Sequence, residues 1–269
     1  MKVFKGFLTV TSCTLLSVIV FGLSLTYTVK SFVIKEATPN IIKELLRTEY
    51  VKTNKLDSHK LEVLDRVFYD KDTAITIEII VDNFLDYQNN KSTYKVKEND
   101  LSKVREFMVK HREDLIDFSS EKLTEKEIID HFQVEVINGE VIDIFEKVDK
   151  DLNKTEKLVF EIYDKATSNT TRTIMIAAMI VLASLIALLN LPITKSFGKM
   201  GVSVLISGLV LALIYGVLIV LRDKVVSTLG LDLDLSNIKF NIFLIWSAAE
   251  IAIGTVLIVL KKLLFKKVV

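Results

Sequence analysis

Three apolar stretches close the chain: TIMIAAMIVLASLIALLNL from Thr173 to Leu191, GVSVLISGLVLALIYGVLIVL from Gly201 to Leu221, and FNIFLIWSAAEIAIGTVLIVL from Phe240 to Leu260. A helix crossing the roughly 30 Å hydrocarbon core of a bilayer needs about 20 consecutive apolar residues, and each stretch meets that length. Near the N-terminus a fourth, Gly6 to Val29, does the same. Among the four, only Glu250 brings a side chain that is charged in water at neutral pH. The fold expected is an all-α membrane protein with four spans.

Between the first and second spans, 31–171 is charged throughout. The balance of 35 Lys and Arg against 34 Asp and Glu therefore averages two unlike materials. Short segments at one membrane face carry lysine without carboxylates: Lys2 and Lys5, Lys195 and Lys199, then Lys261, Lys262, Lys266 and Lys267. By the positive-inside rule these face the cytoplasm, which places both termini inside the cell and 31–171 outside. Basic residues also flank the other face, among them Lys30, Arg172, Arg222 and Lys239. The expected domains are a signal-anchor helix, 1–30; an extracytoplasmic helical domain, 31–171; and a three-helix transmembrane bundle with a basic tail, 172–269.

The first span is too long for a cleaved signal peptide and lacks a small-residue cleavage site. Val10-Thr11-Ser12-Cys13 is similar to a bacterial lipobox, but the apolar stretch follows the cysteine instead of preceding it, so Cys13 reads as a small residue in a membrane helix. As the single cysteine it makes no internal disulfide, and the polar domain must be held by its core.

Within that domain, Thr38-Pro39 looks like an N-cap followed by proline at the first helical position, and Asp57-Ser58 like a second cap ahead of Leu61, Leu64 and Phe68. From Ala74 to Tyr87 a helix is expected, then a polar loop from Asn89 to Asn99. Leu101, Val104, Met108, His111, Leu115 and Phe118 mark one face of an amphipathic helix. Thr124 with Glu127 three residues on forms a capping box. Asn138-Gly139 between apolar residues is either a hairpin turn or a helix end with Gly139 as C-cap. The C-cap is the reading taken, because Val141, Phe145, Val148, Leu152, Val159, Ile162 and Ala166 continue on one helical face. Ser168 to Thr171 breaks or caps the path into the second span.

The C-terminal spans carry small residues four apart: Ala183 and Ala187, then Gly208, Ala212 and Gly216, then Ala248 and Ala252. Such spacing lets backbones approach closely in lipid, where the hydrophobic effect does not drive helices together. It serves packing within one chain or between copies.

Glu250 is the candidate polar site. An intramembrane acid marks an ion path, a proton relay or a buried partner. With no Lys, Arg or His on any span to pair with it, the carboxyl is expected to be neutral and hydrogen-bonded to a hydroxyl such as Ser184, Ser207 or Tyr215. Other motifs fall short. Asp232 to Ser236 resembles the start of a calcium loop but lacks its turn glycine and closing glutamate. His59, His111 and His131 make no metal-ligand spacing. Gly198-Lys199 lacks the rest of a phosphate-binding loop. No nucleophile, base and acid set is found, no cofactor is called for, and acids dilute the basic residues too thoroughly for nucleic acid to be a partner. The sequons at Asn90, Asn153 and Asn169 matter only in a glycosylating pathway.

A lysine-bearing N-terminus, a span ending Thr26-Tyr27-Thr28-Val29-Lys30, a helical domain containing Leu123-Thr124-Glu125-Lys126-Glu127-Ile128, and three closing spans together resemble uncharacterised membrane proteins of low-GC Gram-positive bacteria. The one-plus-three layout is also similar to the permease subunits of cell-division and macrolide-type ABC systems, an analogy of architecture alone. Two functions are expected to compete. One is a non-enzymatic envelope protein that binds, scaffolds or senses a protein partner through its exported domain. The other is a transporter or permease-like component with Glu250 on its pathway.

Overall fold

The computed structural model describes residues 2–40, 62–63, 66–67, 71–116, 124–228 and 239–266. Among them every regular element is a helix. Four helices are long and apolar enough to cross a membrane: Val3–Asn40, Asn169–Leu189, Thr194–Leu221 and Asn241–Leu264. That is the pattern of an all-α membrane protein. The chain divides into two compact units.

One unit gathers α1 (Lys2–Phe32) with α8 (Asn169–Leu189), α9 (Thr194–Thr228) and α10 (Asn241–Lys266). Helix α8 starts as expected at Ser168, whose side chain accepts a hydrogen bond from the Thr171 backbone N–H at 3.1 Å. The bundle is not a three-helix group to which the first span is merely appended. Helices α9 and α10 pack most extensively, while α8 packs more on α1 than on α9. Leu16 and Val20 of α1 bury against Ile186 of α8, with Met200 and Val204 of α9 alongside.

The α9–α10 seam is glycine on glycine. A Cβ added at Gly201 would meet the Gly254 carbonyl oxygen at 2.7 Å, and one at Gly254 would meet the Gly201 oxygen at the same distance. A Cβ at Gly208 would come within 3.0 Å of Glu250 Cβ. Ser247 donates to the Gly208 carbonyl at 2.8 Å. Gly201 thus faces Gly254 while Gly208 faces Ser247, so the helices run antiparallel and the small residues recur every seven positions.

This seam differs from the four-residue stripes expected. Gly208 lies in it, but Ala248, Ala252 and Gly216 are exposed and Ala183, Ala187 and Ala212 are half-buried. Seven-residue spacing keeps one narrow line of contact along two nearly aligned helices, whereas spacing of four drifts around the helix.

The other unit runs Val33–Asp164. Its opening π-helical segment, Val33–Ala37, leads into helical residues 38–40. Thr38 therefore does not start a helix. Pro39 sits inside one, and the wider π turn relieves the clash its ring would make with the carbonyl four residues back. The helix expected from the Ile41 region falls outside the described residues, as do Leu61, Leu64 and Phe68 of the helix expected after Asp57, in which 62–63 and 66–67 are helical, and Phe118.

Next come α2 (Lys71–Asn89), α3 (Glu98–Lys110), α4 (Arg112–Ile116), α5 (Glu125–His131), α6 (Val134–Asp151) and α7 (Lys154–Thr167), the last of which ends beyond this unit. The amphipathic helix from Asp100 is broken at His111, which is buried at the turn between α3 and α4. The capping box is formed: the Glu127 backbone N–H donates to Thr124 Oγ1 and the Thr124 N–H donates to Glu127 Oε2.

Asn138-Gly139 is neither a hairpin turn nor a helix end, because α6 runs straight through it. A glycine inside a helix costs about 1 kcal/mol relative to alanine. Each large apolar side chain buried offsets that by roughly 1.5–3 kcal/mol, and Ile137 and Phe145 on α6 are both buried. Asn138 is put to tertiary use, its Oδ1 accepting the Val96 backbone N–H at 3.0 Å. The core is aromatic: Phe145 meets Phe84 at 5.3 Å, Tyr87 at 5.7 Å and Tyr94 at 5.9 Å between ring centroids. The face expected to run from Val141 to Ala166 is divided. Phe145 is buried, but Val148, Val159 and Ile162 are 41%, 59% and 58% exposed, since the helix breaks between Asp151 and Lys154.

Candidate functional site

Glu250 lies on α10 one turn past Ser247 and is only 4% exposed. Helix geometry puts residues three apart on one face, so the serine that grips Gly208 also fixes which way Glu250 points. It points into the bundle. Ser207 of α9 donates its hydroxyl to Glu250 Oε2, and Ser24 of α1 donates to Oε1. Both oxygens of the carboxyl are thereby bonded, one to each of two other spans. A buried polar group costs little once its hydrogen bonds are made, and these hydroxyls are themselves buried, Ser207 at 1% and Ser24 at 5% exposure.

Of the three hydroxyl partners expected, the structure brings Ser207 to the carboxyl. Ser184 is exposed on α8, and Tyr215 is half-buried two turns beyond Ser207. Ser24 was missed because the first span reads as a free-standing anchor. Five of that helix's hydroxyl residues, Thr9, Ser12, Ser24, Thr26 and Thr28, are buried, and they do not share one face, so no spacing in the sequence singles out Ser24.

Above and below this carboxyl the bundle has two polar levels. Toward the lysine-bearing ends, buried Asn190 accepts a hydrogen bond from Lys199 Nζ at 2.6 Å and gives its amide to the Ile186 carbonyl at 2.8 Å. Toward the other end, Tyr27 stacks on Trp246 with centroids 5.6 Å apart, and the Arg172 guanidinium sits 4.3 Å over the Tyr27 ring. Aromatic and basic side chains of this kind hold a span at the headgroup level.

Between α1 and α9 lies a cavity of about 630 Å³. Cys13, Ser17 and Phe21 of α1 and Ser203, Ser207 and Val210 of α9 line it, with Lys199 and Lys261 at the end toward the lysine-bearing helix termini. Its inner wall includes the serine that holds Glu250.

Among the described residues no cluster of three His, Cys, Asp or Glu side chains could hold a metal. His111 Nδ1 is 3.3 Å from Asp114, and His131 Nε2 is 3.4 Å from Glu140. His59 and the Asp232 to Ser236 loop lie outside the described residues. Compared with protein-family models, with curated proteins and with solved structures, the chain matches none.

Proposed function

We propose that this is a non-enzymatic, multi-pass protein of the cell envelope, which binds or senses a protein partner through the helices of its Val33–Asp164 unit while its spans serve as a fixed mount. The observation that carries this reading is two exposed apolar faces, Ile144 and Val148 on α6 and Leu158, Val159 and Ile162 on α7, each side chain more than 40% exposed. Grouped apolar side chains left in water on a charged domain mark an interaction surface more often than isolated ones do. The bonding of Glu250 by Ser24 and Ser207 supports the mount, because it leaves the carboxyl engaged on both oxygens. With the lysine ends in the cytoplasm, these faces lie outside the cell.

The test is photocrosslinking in native membranes from a benzoylphenylalanine placed at Val159 or Ile162. An adduct with an envelope protein, lost on adding Ile144→Glu, is expected. Recovery of an ATPase as the bound partner instead would favour a permease.

The transporter reading keeps one specific observation, the cavity that ends at Ser207 beside Glu250. Proton-dependent uptake into vesicles that Glu250→Gln abolishes would establish it. Under the mount reading the same variant folds and retains its partner.

A further inference from the structure

The cavity between α1 and α9 has a shape and a charge that the sensing role does not use. Helices α1 and α9 both start at lysine-bearing ends, so they run side by side in one direction, and the cavity follows them inward from Lys199 to Val210. At 1.5 Å per residue, those eleven steps cover roughly 16 Å. That is about half of a hydrocarbon core roughly 30 Å thick, which is the depth of one leaflet. The volume, about 630 Å³, lies within the roughly 300–1,000 Å³ of small-molecule sites.

The walls are mostly apolar, with Val18, Phe21, Val202 and Ile206 among them, and no carboxylate lines them. The end toward the helix termini is cationic. Lys199 is hydrogen-bonded to the neutral amide oxygen of Asn190, which leaves its charge uncompensated. The Lys261 side chain crosses Gly198, where a Cβ would come within 3.2 Å of its Nζ. With no side chain at Gly198, the Lys261 side chain lies directly against α9. Among the described residues neither lysine is paired with an acid.

We infer that this cavity is a binding site for an anionic membrane lipid, one acyl chain lying between α1 and α9 and the phosphate held by Lys199 and Lys261. Lysine ammonium groups at headgroup depth attract anionic lipids, and an apolar slot one leaflet deep suits the tail below such a headgroup. The inference is independent of what the polar unit binds.

Full-length protein in nanodiscs of mixed phosphatidylglycerol and phosphatidylcholine provides the test, with either lipid supplied in trace amount as an acyl-diazirine analogue. The phosphatidylglycerol probe is expected to crosslink to cavity residues between Val10 and Phe21 and between Val202 and Val210, well above its labelling of lipid-exposed Val181 and Leu188 on α8. Lys199→Gln and Lys261→Gln should each lower that yield about fivefold, Lys199→Arg should restore it, and the phosphatidylcholine probe should be unmoved. Phosphatidylglycerol should also slow alkylation of Cys13 by a lipid-soluble maleimide, and Val202→Phe, at a half-exposed position on the wall, should remove the protection. Equal crosslinking by the two probes, labelling no higher than on α8, or indifference to both lysines would overturn the assignment. So would crosslinks from Cys13 to a second copy of the chain.

Discussion

Ser24 and Glu250 are 226 positions apart in the chain and share a buried hydrogen bond, with the α1 hydroxyl donating to the α10 carboxyl. Ser207 completes the arrangement from α9. One carboxyl thus links the first, third and fourth spans at a single level, where lipid supplies no competing donors. Hydrogen bonds between spans are worth about 0.6 kcal/mol on average and up to about 1.7.

Ser24→Ala and Ser207→Ala are each expected to lower the stability of the purified protein by about 0.5–1.5 kcal/mol. Glu250→Gln keeps an acceptor and a donor in the same volume and should cost less than Glu250→Leu, which strands both hydroxyls. Thermal unfolding in detergent measures the series. A double-mutant cycle between Ser24 and Glu250 should return a coupling energy, whereas Ser184→Ala, on the exposed side of α8, should change nothing.

The α9–α10 seam separates two kinds of glycine. Gly254→Ala places a methyl 2.7 Å from both the Gly201 carbonyl oxygen and the Leu205 nitrogen, and backbone cannot yield as a side chain does. Gly216→Ala meets nothing within 4 Å and gains about 1 kcal/mol of helix propensity in an aqueous reference. The first variant should be strongly destabilised and the second neutral or slightly stabilised, read by the temperature at which each aggregates from detergent.

Phe145 stands at the centre of the aromatic core, so Phe145→Ala should cost about 3–5 kcal/mol. Hydrogen exchange on the full-length protein should show the loss in α2 and α6, with α9 and α10 unaffected. Loss spread evenly over all helices would mean that the two units unfold together.

Asp149 accepts hydrogen bonds from Lys91 at 2.5 Å, Lys157 at 3.0 Å and Gln88 at 3.0 Å. The Lys91 ammonium above all holds its carboxyl far below the usual carboxylate range. Unfolding releases it to an ordinary value of 3.8. Its contribution is therefore complete above about pH 5 and is lost as pH falls through 3.8 toward the depressed folded value. Tyr94 behaves in the opposite sense: burial first, then Asp86 and Asp100, push its phenol up to about 12. Its contribution is present below pH 10 and lost as pH rises toward 12. Unfolding temperatures followed over pH should drop at both ends for the native chain. Asp149→Asn should start lower at pH 7 and flatten the acid limb alone.

The four long apolar helices were legible because bilayer thickness imposes a length that few soluble segments meet, and the Thr124–Glu127 cap because both partners are local. The path of α6 was not, since Asn138-Gly139 is a turn signal by local rules and only the distant Phe84, Tyr87 and Tyr94 rings override it. That Glu250 needs a hydroxyl partner could be read from sequence because intramembrane acids need donors, but Ser207 stood there as one of three candidates beside Ser184 and Tyr215. Ser24 could not, as nothing local reveals that the first span packs beside the third and fourth. The glycine seam is hidden for a related reason: these two antiparallel helices repeat their contact every seven residues, not every four.

The central proposal is that the bilayer is crossed four times, with the Val33–Asp164 segment exported and the lysine-bearing ends in the cytoplasm. In a Cys13→Ser background, cysteines at exposed Gly139 on α6 and at exposed Lys195 in the first turn of α9 report the two faces. A membrane-impermeant maleimide added to intact cells should label Gly139→Cys, and should label Lys195→Cys only after permeabilisation. Labelling of both from outside, or of Lys195→Cys alone, would contradict the account.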